Sequence, residues 1–169
     1  MLREFEPGDL DATMGIVGDP EVTRFLSFDT RTRDEQSLLL AADIERARSD
    51  PRPDYFLAVE ELRSGTLIGF MRTGLMRHAG GEIGYATRKD RWRQGLTAEA
   101  AGVMVDFCFK TLELHRVQAA CGPDNTGSQA LLVRLGFQRE GLMRDHVFTN
   151  GAWRDSILYS LLSHEWTGR

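Results

Sequence analysis

The chain has 169 residues, and its 21 basic and 25 acidic side chains give a formal net charge of −4. Because one domain commonly takes about 150 residues, this length predicts a single domain over residues 1–169 with a core of its own. With 41% hydrophobic and 27% charged residues, the composition excludes a disordered, collagen-like or coiled-coil chain. The acidic balance argues against nucleic acid or an anionic membrane surface as the main partner.

The cysteines and the N-terminal segment indicate the compartment. Cys108 and Cys121 are too few for a disulfide framework and lack the spacing of a zinc site, so we expect two small buried side chains and no metal. The charged sequence MLREFEPGD has no signal-peptide apolar region, and the apolar run over residues 100–109 falls far short of the ~20 residues of a membrane span. We therefore expect a cytoplasmic protein without a membrane partner.

The first ninety residues predict helices followed by three antiparallel strands. In the longer helix, Leu38, Leu39, Ala41 and Ala42 form the expected apolar side. Residues with strand propensity then alternate with turn sequences, which is typical of hairpins. The predicted elements are a strand over residues 2–6, a helix start at residues 7–9, helices over 20–28 and 34–48, and strands over 55–62, 66–76 and 82–88.

The second half predicts alternating strands and helices. A helix over residues 96–112 has its apolar stripe at Ala100, Val103, Met104, Phe107 and Cys108. Secondary positions widen this apolar face, namely Ala101, Val105 and Phe109. The remaining predicted elements are a strand over 116–121, a helix over 128–135 that ends at Gly136 with Phe137 packed back on it, and strands over 141–149 and 153–162 joined at Asn150-Gly151. Together these elements form a mixed α/β sheet.

A basic segment lies at the junction of the third predicted strand and the following helix. Residues 88–94 hold four basic side chains and one acidic side chain, a local charge of +3, so the remainder of the chain carries −7. A helix N-terminus preceded by Gly95, where the backbone can approach a ligand closely, is typical of an anion site. The alternative is a solvated basic loop. The GxxxxGK[ST] and GxGxxG phosphate motifs are both absent from the sequence.

Four sequence runs resemble the GNAT acetyltransferase superfamily, and they are most similar to its ribosomal-protein N-terminal acetyltransferase branch. They are WRQGLTAEA, LELHRVQA, PDNTGSQALLVRLGFQREG and NGAWRDSILYSLL, and the resemblance spans residues 55–162 most strongly. It implies a single-domain α/β fold with a mostly antiparallel mixed sheet of six to seven strands and helices on both faces. It also implies direct transfer of an acetyl group from acetyl-CoA to a primary amine.

The resemblance implies where acetyl-CoA would bind. The family prefers glycine where this chain has Arg93, and alanine or glycine where it has Thr97. Asn125 is implied to hold the pantetheine arm, and Ser128 to lie near the sulfur. The main chain of Tyr85, Ala86, Thr87 and Arg88 would pair with the pantetheine amides, and the pyrophosphate would lie on Arg93, Gln94, Gly95, Leu96 and Thr97.

Glu82 and Ser128 are the candidate catalytic residues. Period two puts Glu82 on one strand face with Gly84 and Ala86, which leaves room for a substrate or a water. The resemblance implies a base near this position, with strand amides stabilising the oxyanion and Ser128 assisting the thiolate. The structural alternatives are a solvent-facing Glu82, and Asn125 and Ser128 as a turn and helix cap.

The sequence leaves open which amine accepts the acetyl group. An α-amine with a pKa near ~8 is already about one-tenth neutral at pH 7, whereas a lysine amine is almost never neutral, which favours a protein N-terminus. A polyamine, an amino sugar or an amino acid is the alternative within the same chemistry, and a non-catalytic acyl-CoA-binding module is an alternative outside it. The acidic remainder of the chain favours a cationic acceptor. The sequence leaves a homodimer open.

Overall fold

Twelve helices and strands make up a computed structural model that describes residues 1–168. We number the elements in chain order, and short 3-10 turns lie at Pro7–Asp9, Lys89–Arg91 and Ser163–Glu165. The elements are β1 (Leu2–Arg3), α1 (Leu10–Val17), α2 (Pro20–Thr23), α3 (Arg33–Arg46), β2 (Asp54–Glu61), β3 (Thr66–Met76), β4 (Gly80–Thr87), α4 (Leu96–Lys110), β5 (Arg116–Cys121), α5 (Thr126–Arg134), β6 (Gln138–Thr149) and β7 (Ala152–Leu162).

The strands form one sheet in the order β1-β2-β3-β4-β5-β7-β6. Every neighbouring pair is antiparallel except β4 and β5, which run parallel. The predicted mixed, mostly antiparallel sheet is therefore confirmed. Within the described residues, no helix is long and apolar enough to cross a bilayer.

Helices cover both faces of the sheet, as predicted. Residues of α4 and α5 pack with Ile83 of β4 in one core, and residues of α1 and α3 pack with Ala86 of β4 in the other. Because successive strand residues point to opposite faces, one strand serves both cores. The face that carries Ala86 also carries Glu82 and Gly84, which places those two residues on the α1 and α3 side.

Two predicted turns are confirmed by their backbone angles. Asn150 and Gly151 have φ values of 51° and 73°, as a two-residue type I′ hairpin requires, and they join β6 to β7. Gly136 has a φ of 92°, and the Phe137 amide donates to the Leu132 carbonyl at 3.0 Å, which ends α5 in a Schellman motif.

The predicted helix over residues 20–28 is wrong beyond Thr23, because only Pro20–Thr23 is α-helical. The chain turns away after that residue, and the carbonyls of Arg24 and Leu26 accept hydrogen bonds from the Arg154 guanidinium of β7. The first strand is also shorter than predicted and covers Leu2–Arg3, since Pro7 already begins a 3-10 turn. Tertiary contacts therefore replace helix in the segment that precedes α3.

The apolar side predicted for α3 is wrong. Leu38 is 75% exposed, whereas Leu40 is only 3% exposed. The helix packs instead along Gln36, Leu40 and Ile44, which are spaced four residues apart on one face. The long polar side chain of Gln36 reaches into the core, and the sequence pattern did not reveal that.

The stripe predicted for α4 is rotated by part of a turn. Val103 is 52% exposed, whereas Ala101, Met104, Val105 and Cys108 are fully buried. These four positions follow the i, i+3, i+4, i+7 spacing of a helix face against a sheet. Cys108 and Cys121 are both free and buried, as expected, and burial raises the pKa of the Cys108 thiol to about 11.

Candidate active site

Strands β4 and β5 separate part-way along their length. Their parallel pairing runs only from Gly80 and Arg116 to Glu82 and Gln118, although β4 continues to Thr87. Beyond this point both strands line a cavity of about 1990 Å³, which also reaches the N-termini of α4 and α5. The separation therefore opens a slot through the sheet that an extended ligand can enter.

The N-terminus of α4 lies at one end of the cavity. Gly95 is its N-cap with a φ of 80°, a left-handed conformation that favours glycine. Nothing lies within 4 Å of the position where a Cβ would stand at Gly95, so the backbone is open to a ligand. The Thr87 and Thr97 hydroxyls lie 2.8 Å apart and tie the end of β4 to the first turn of α4.

The basic segment before α4 is mostly neutralised within the protein. Arg88 and Arg91 pair with Asp90 at 3.1 Å and 2.9 Å, and Lys89 pairs with Glu21 at 2.7 Å. Asp90 is already counted in the +3 charge that the sequence predicts for an anion. Glu21, together with Glu61 at 3.7 Å from Arg91, reduces that charge to +1.

Arg93 is the basic residue of this segment whose charge is not paired within the part of the chain that the structure describes. It lines the cavity, is exposed and forms no ion pair with any residue between 1 and 168. Its φ of 61° is left-handed, and this conformation costs a non-glycine residue about 1 kcal/mol. This strain explains why glycine suits this position in the family that the sequence resembles. Because Arg93 forms no ion pair within residues 1–168, its charge stays free at this end of the cavity.

Ser128 and Tyr85 meet where the cavity passes α5. Their hydroxyl oxygens lie 2.8 Å apart, and burial raises the pKa of Tyr85 above its ordinary value. Asn125 caps α5 by accepting from the Ser128 amide at 3.1 Å. The capping interpretation therefore holds for Asn125, whereas the Ser128 hydroxyl bonds to Tyr85 rather than to the helix end.

The Tyr85 phenol is the functional group that sequence reasoning missed. The sequence placed Tyr85 only among main-chain contacts to a cofactor, and nothing in it links two residues 43 positions apart. Period two does place Tyr85 on the face opposite Glu82, and Ser128 falls in a first helix turn. The contact between them becomes visible only once α5 is packed on the sheet.

Glu82 lies on the other face of the sheet, at the edge of the slot. It is exposed, and Gln118 Nε2 donates to its carboxylate at 2.8 Å. Gly84 and Gly74 have open space where a Cβ would stand. The room expected beside Glu82 is therefore present. Gly84 and Gly74 form an open floor next to the Glu82 carboxylate.

Arginines line the cavity beyond this floor. Arg46 and Arg72 share Asp54 at 3.1 Å and 2.8 Å. Arg31 stacks over the Phe28 ring at 3.8 Å and donates to the Gln36 side chain at 2.9 Å. This end of the cavity is bounded by cations, whereas the overall charge of the chain is negative.

The structure brings most of the predicted site residues to this one cavity. Three predicted cofactor residues do not line it: Arg88 pairs with Asp90, Gln94 donates to the Asp90 carbonyl at 3.0 Å, and Leu96 packs against the core. Within residues 1–168, no group of three or more His, Cys, Asp or Glu side chains is placed to hold a metal ion. The predicted residues that line the cavity are Glu82, Tyr85, Ala86, Thr87, Arg93, Gly95, Thr97, Asn125 and Ser128.

Comparison with known proteins identifies the fold and the chemistry. The family model described as "Acetyltransferase (GNAT) domain" matches residues 1–138. The chain belongs to the GNAT acetyltransferase family. This acetyltransferase is 31% identical to the uncharacterized N-acetyltransferase p20 of Bacillus licheniformis, over 99% of this chain and 94% of that one. It is therefore an acyltransferase of the GNAT type, and enzymes of this family use acetyl-CoA.

The relatives of the acetyltransferase differ in their substrates. The ribosomal protein uS5-alanine N-acetyltransferase of Escherichia coli is 35% identical over 85 residues, which are 50% of this chain and 44% of that one. A crystal structure of spermidine N-acetyltransferase from Vibrio cholerae, in complex with CoA and spermine, has a TM-score of 0.84. It is 20% identical and covers 98% of this chain and 96% of that one, so it shows a shared fold alone.

Proposed function

We propose that this acetyltransferase transfers the acetyl group of acetyl-CoA to the N-terminal α-amine of a peptide or protein. The observation that carries the proposal is the single cavity that joins the N-termini of α4 and α5 to Glu82 through the separation of β4 and β5. One end fits a diphosphate beside a helix N-terminus, and the other presents an acid on an open floor. Two reactants can thus meet at one point within the sheet.

The cofactor end fits acetyl-CoA, which supplies an activated acetyl group and a thiol leaving group. Gly95 lets the backbone approach a phosphate, and the unpaired Arg93 adds a cation there. From residue 83 to residue 87, β4 pairs with β3 on one side only, so its edge toward β5 offers free main-chain groups to the pantetheine arm. Asn125 is committed to its helix cap, so its contribution to binding is to orient the first turn of α5.

Glu82 acts as the general base through a water molecule. A protonated α-amine must lose one proton, and because about a tenth is neutral at pH 7, the base supplies only about 1.4 kcal/mol. The exposed carboxylate on the open floor is accessible to such a water. Main-chain amides of β4 beyond Glu82 stabilise the oxyanion that forms during transfer.

Tyr85 and Ser128 act on the departing sulfur. The phenol keeps its proton because burial raises its pKa, so it can donate to the Ser128 oxygen. The Ser128 hydroxyl is then free to donate onward to a developing thiolate at the helix N-terminus. A thiol titrates near ~8.5, so this help accelerates the departure without being indispensable.

The arginines in the cavity wall favour a peptide over a polyamine. A polyamine carries several positive charges, and the excess charge of Arg31, Arg46 and Arg72 over Asp43 and Asp54 would repel them. The charge of the whole surface favoured a cationic acceptor, but the local wall has the opposite sign. The α-amine of a peptide brings a single charge, and that charge is removed before the reaction.

Thiol release from acetyl-CoA with a panel of amines tests the proposed function. The panel holds an alanine-initiated hexapeptide, its N-formylated form, spermidine, glucosamine and free alanine. We expect thiol release with the free peptide and none with the formylated one. Release with spermidine alone would contradict the proposal, and tight acetyl-CoA binding without release from any amine would favour a non-catalytic module.

A further inference from the structure

The wall of the cavity beyond Glu82 carries an excess of positive charge. Arg31, Arg46 and Arg72 face two carboxylates, Asp43 and Asp54, and all five line the same cavity. Asp54 is shared between Arg46 and Arg72, and Asp43 contacts Arg46. Arg31 therefore has no carboxylate within ion-pair distance among residues 1–168, and its only side-chain hydrogen bond is to the neutral Gln36.

Arg31 is partly desolvated, which makes an anion at this position more favourable. Its guanidinium stacks on Phe28 and is half-buried. Burial lowers the pKa of Arg31, although the charges of Asp43 and Glu35 beyond ion-pair distance raise it in part. A planar guanidinium with free N–H groups matches a carboxylate in two-point geometry.

The sheet register gives the distance from Glu82 to Asp54, the carboxylate that Arg46 and Arg72 share. Glu82 of β4 pairs with Gly74 of β3, and Gly74 pairs with Asp54 of β2. Paired residues share a face, and neighbouring strands lie ~4.8 Å apart, so Asp54 lies about 10 Å from Glu82 on the same face. Gly74 and Gly84 leave the floor between them open.

We propose that Arg31, with Arg46 and Arg72 beside it, binds an acidic side chain at the second or third residue of the acceptor peptide. This inference rests on the proposed function, because it places the α-amine at Glu82. An extended peptide advances ~3.3 Å per residue, so an acidic side chain at the second or third residue reaches a cluster about 10 Å away. The acceptor class is thus a protein whose N-terminus is acidic just beyond its first residue.

Four hexapeptides separate a local subsite from general charge attraction. All begin with alanine; three carry one glutamate, at position two, three or six, and the fourth carries glutamine at position three. We expect kcat/KM for the better of the first two to exceed that of the glutamine peptide about ten-fold, since a charge-assisted hydrogen bond to carboxylate is lost. The position-six peptide has the same net charge and should resemble the glutamine peptide.

Substitutions in the cavity wall test whether Arg31 causes the preference for glutamate peptides. In Arg31→Gln the ratio between glutamate and glutamine peptides should fall toward one, and Arg31→Lys should retain part of it. Arg134→Gln removes an exposed arginine of α5 outside the cavity and should leave the ratio intact. Thermal unfolding and the KM for acetyl-CoA report whether each variant is folded.

The other possible results distinguish failure of the acidic subsite from failure of the proposed function. Equal kcat/KM for all four peptides would overturn the subsite while the proposed function stands. An equal benefit from glutamate at position six would also overturn it, because steering by net charge would explain the preference. Acetylation of spermidine alone would overturn both. Titration calorimetry of the four peptides against the CoA-loaded protein measures the preference independently of turnover.

Discussion

The hydroxyl oxygens of Tyr85 and Ser128 lie 2.8 Å apart, one from β4 and the other from the first turn of α5. Burial raises the pKa of Tyr85, so the phenol is protonated at neutral pH, and either hydroxyl can donate to the other. This hydrogen bond crosses the cavity at the place where β4 and β5 have already separated. It ties the slot between β4 and β5 to the N-terminus of α5.

Tyr85→Phe and Ser128→Ala should each lower kcat about ten-fold with little change in the KM for acetyl-CoA, because each breaks the same hydrogen-bond relay to the departing thiolate. The double variant should lose no more than the larger single loss, since the two groups act as one unit. Steady-state kinetics of the four proteins measure this coupling. Additive losses, or a loss confined to KM, would contradict the relay.

Stability measurements separate this role from helix capping. Asn125→Ala removes the side chain that accepts from the Ser128 amide and should lower the free energy of unfolding by about 1 kcal/mol. Ser128→Ala leaves that cap in place and should change the free energy of unfolding by less than about half as much. Urea unfolding of both variants provides the comparison.

Glu82→Gln should lower kcat on an α-amine acceptor by roughly ten-fold and remove the acidic limb of its pH–rate profile. The amide preserves the contact with Gln118 but cannot take a proton. Glu45→Gln, at an exposed position of α3, is a matched control that should retain both rate and profile. An unchanged pH–rate profile in Glu82→Gln would show that another group is the base.

Arg93→Gly should raise the free energy of unfolding by roughly 0.5–1 kcal/mol, because relief of left-handed strain exceeds the added chain entropy. The same change should raise the KM for acetyl-CoA several-fold at low salt and less at high salt, since a screened cation is removed. Gly95→Ala should lower stability by about 1 kcal/mol and also raise that KM. If the KM of Arg93→Gly equals that of the wild type at every salt concentration, Arg93 does not contact the cofactor.

Asp9 links stability to pH. Although burial opposes its ionisation, hydrogen bonds from Arg3 and the Glu6 amide hold the pKa of Asp9 below its ordinary value. The carboxylate therefore stabilises the fold above about pH 4, and this stabilisation is lost as the pH falls through the lowered pKa. Asp9→Asn should cost about 2 kcal/mol at pH 7, and urea unfolding should show the difference vanishing in acid. A cost independent of pH would contradict the ion pair.

Turn chemistry and regular periodicity predicted much of the fold. Asn150-Gly151 and Gly136 each have φ values that few residues adopt, so local sequence determined the last hairpin and the end of α5. The predicted strands appear within a few residues of their expected bounds, except for the shortened first strand. Where backbone conformation depends on neighbours in sequence, the sequence was sufficient to predict the local structure.

Side-chain partners from distant elements were harder to predict. The apolar stripe of α4 included exposed Val103 and left Ala101 and Val105 as secondary positions, because several faces of this helix are apolar and only the sheet selects one. The pairing of Lys89 with Glu21 likewise neutralised a charge that the local sequence left free. Most of the predicted site residues line the cavity at both helix N-termini, but the contact between Tyr85 and Ser128 was not predicted.

The Arg154 guanidinium donates to the carbonyls of Arg24 and Leu26, which are 130 and 128 residues away in sequence, and the Asn150 amide donates to Asp29 at 2.8 Å. The hairpin of β6 and β7 therefore holds the segment that leads to Arg31 in the wall of the cavity. Insertions or substitutions at the hairpin tip would reshape that wall without moving β4, Glu82 or Ser128. Acceptor choice can diverge during evolution through the C-terminal hairpin while the chemical step remains as it was.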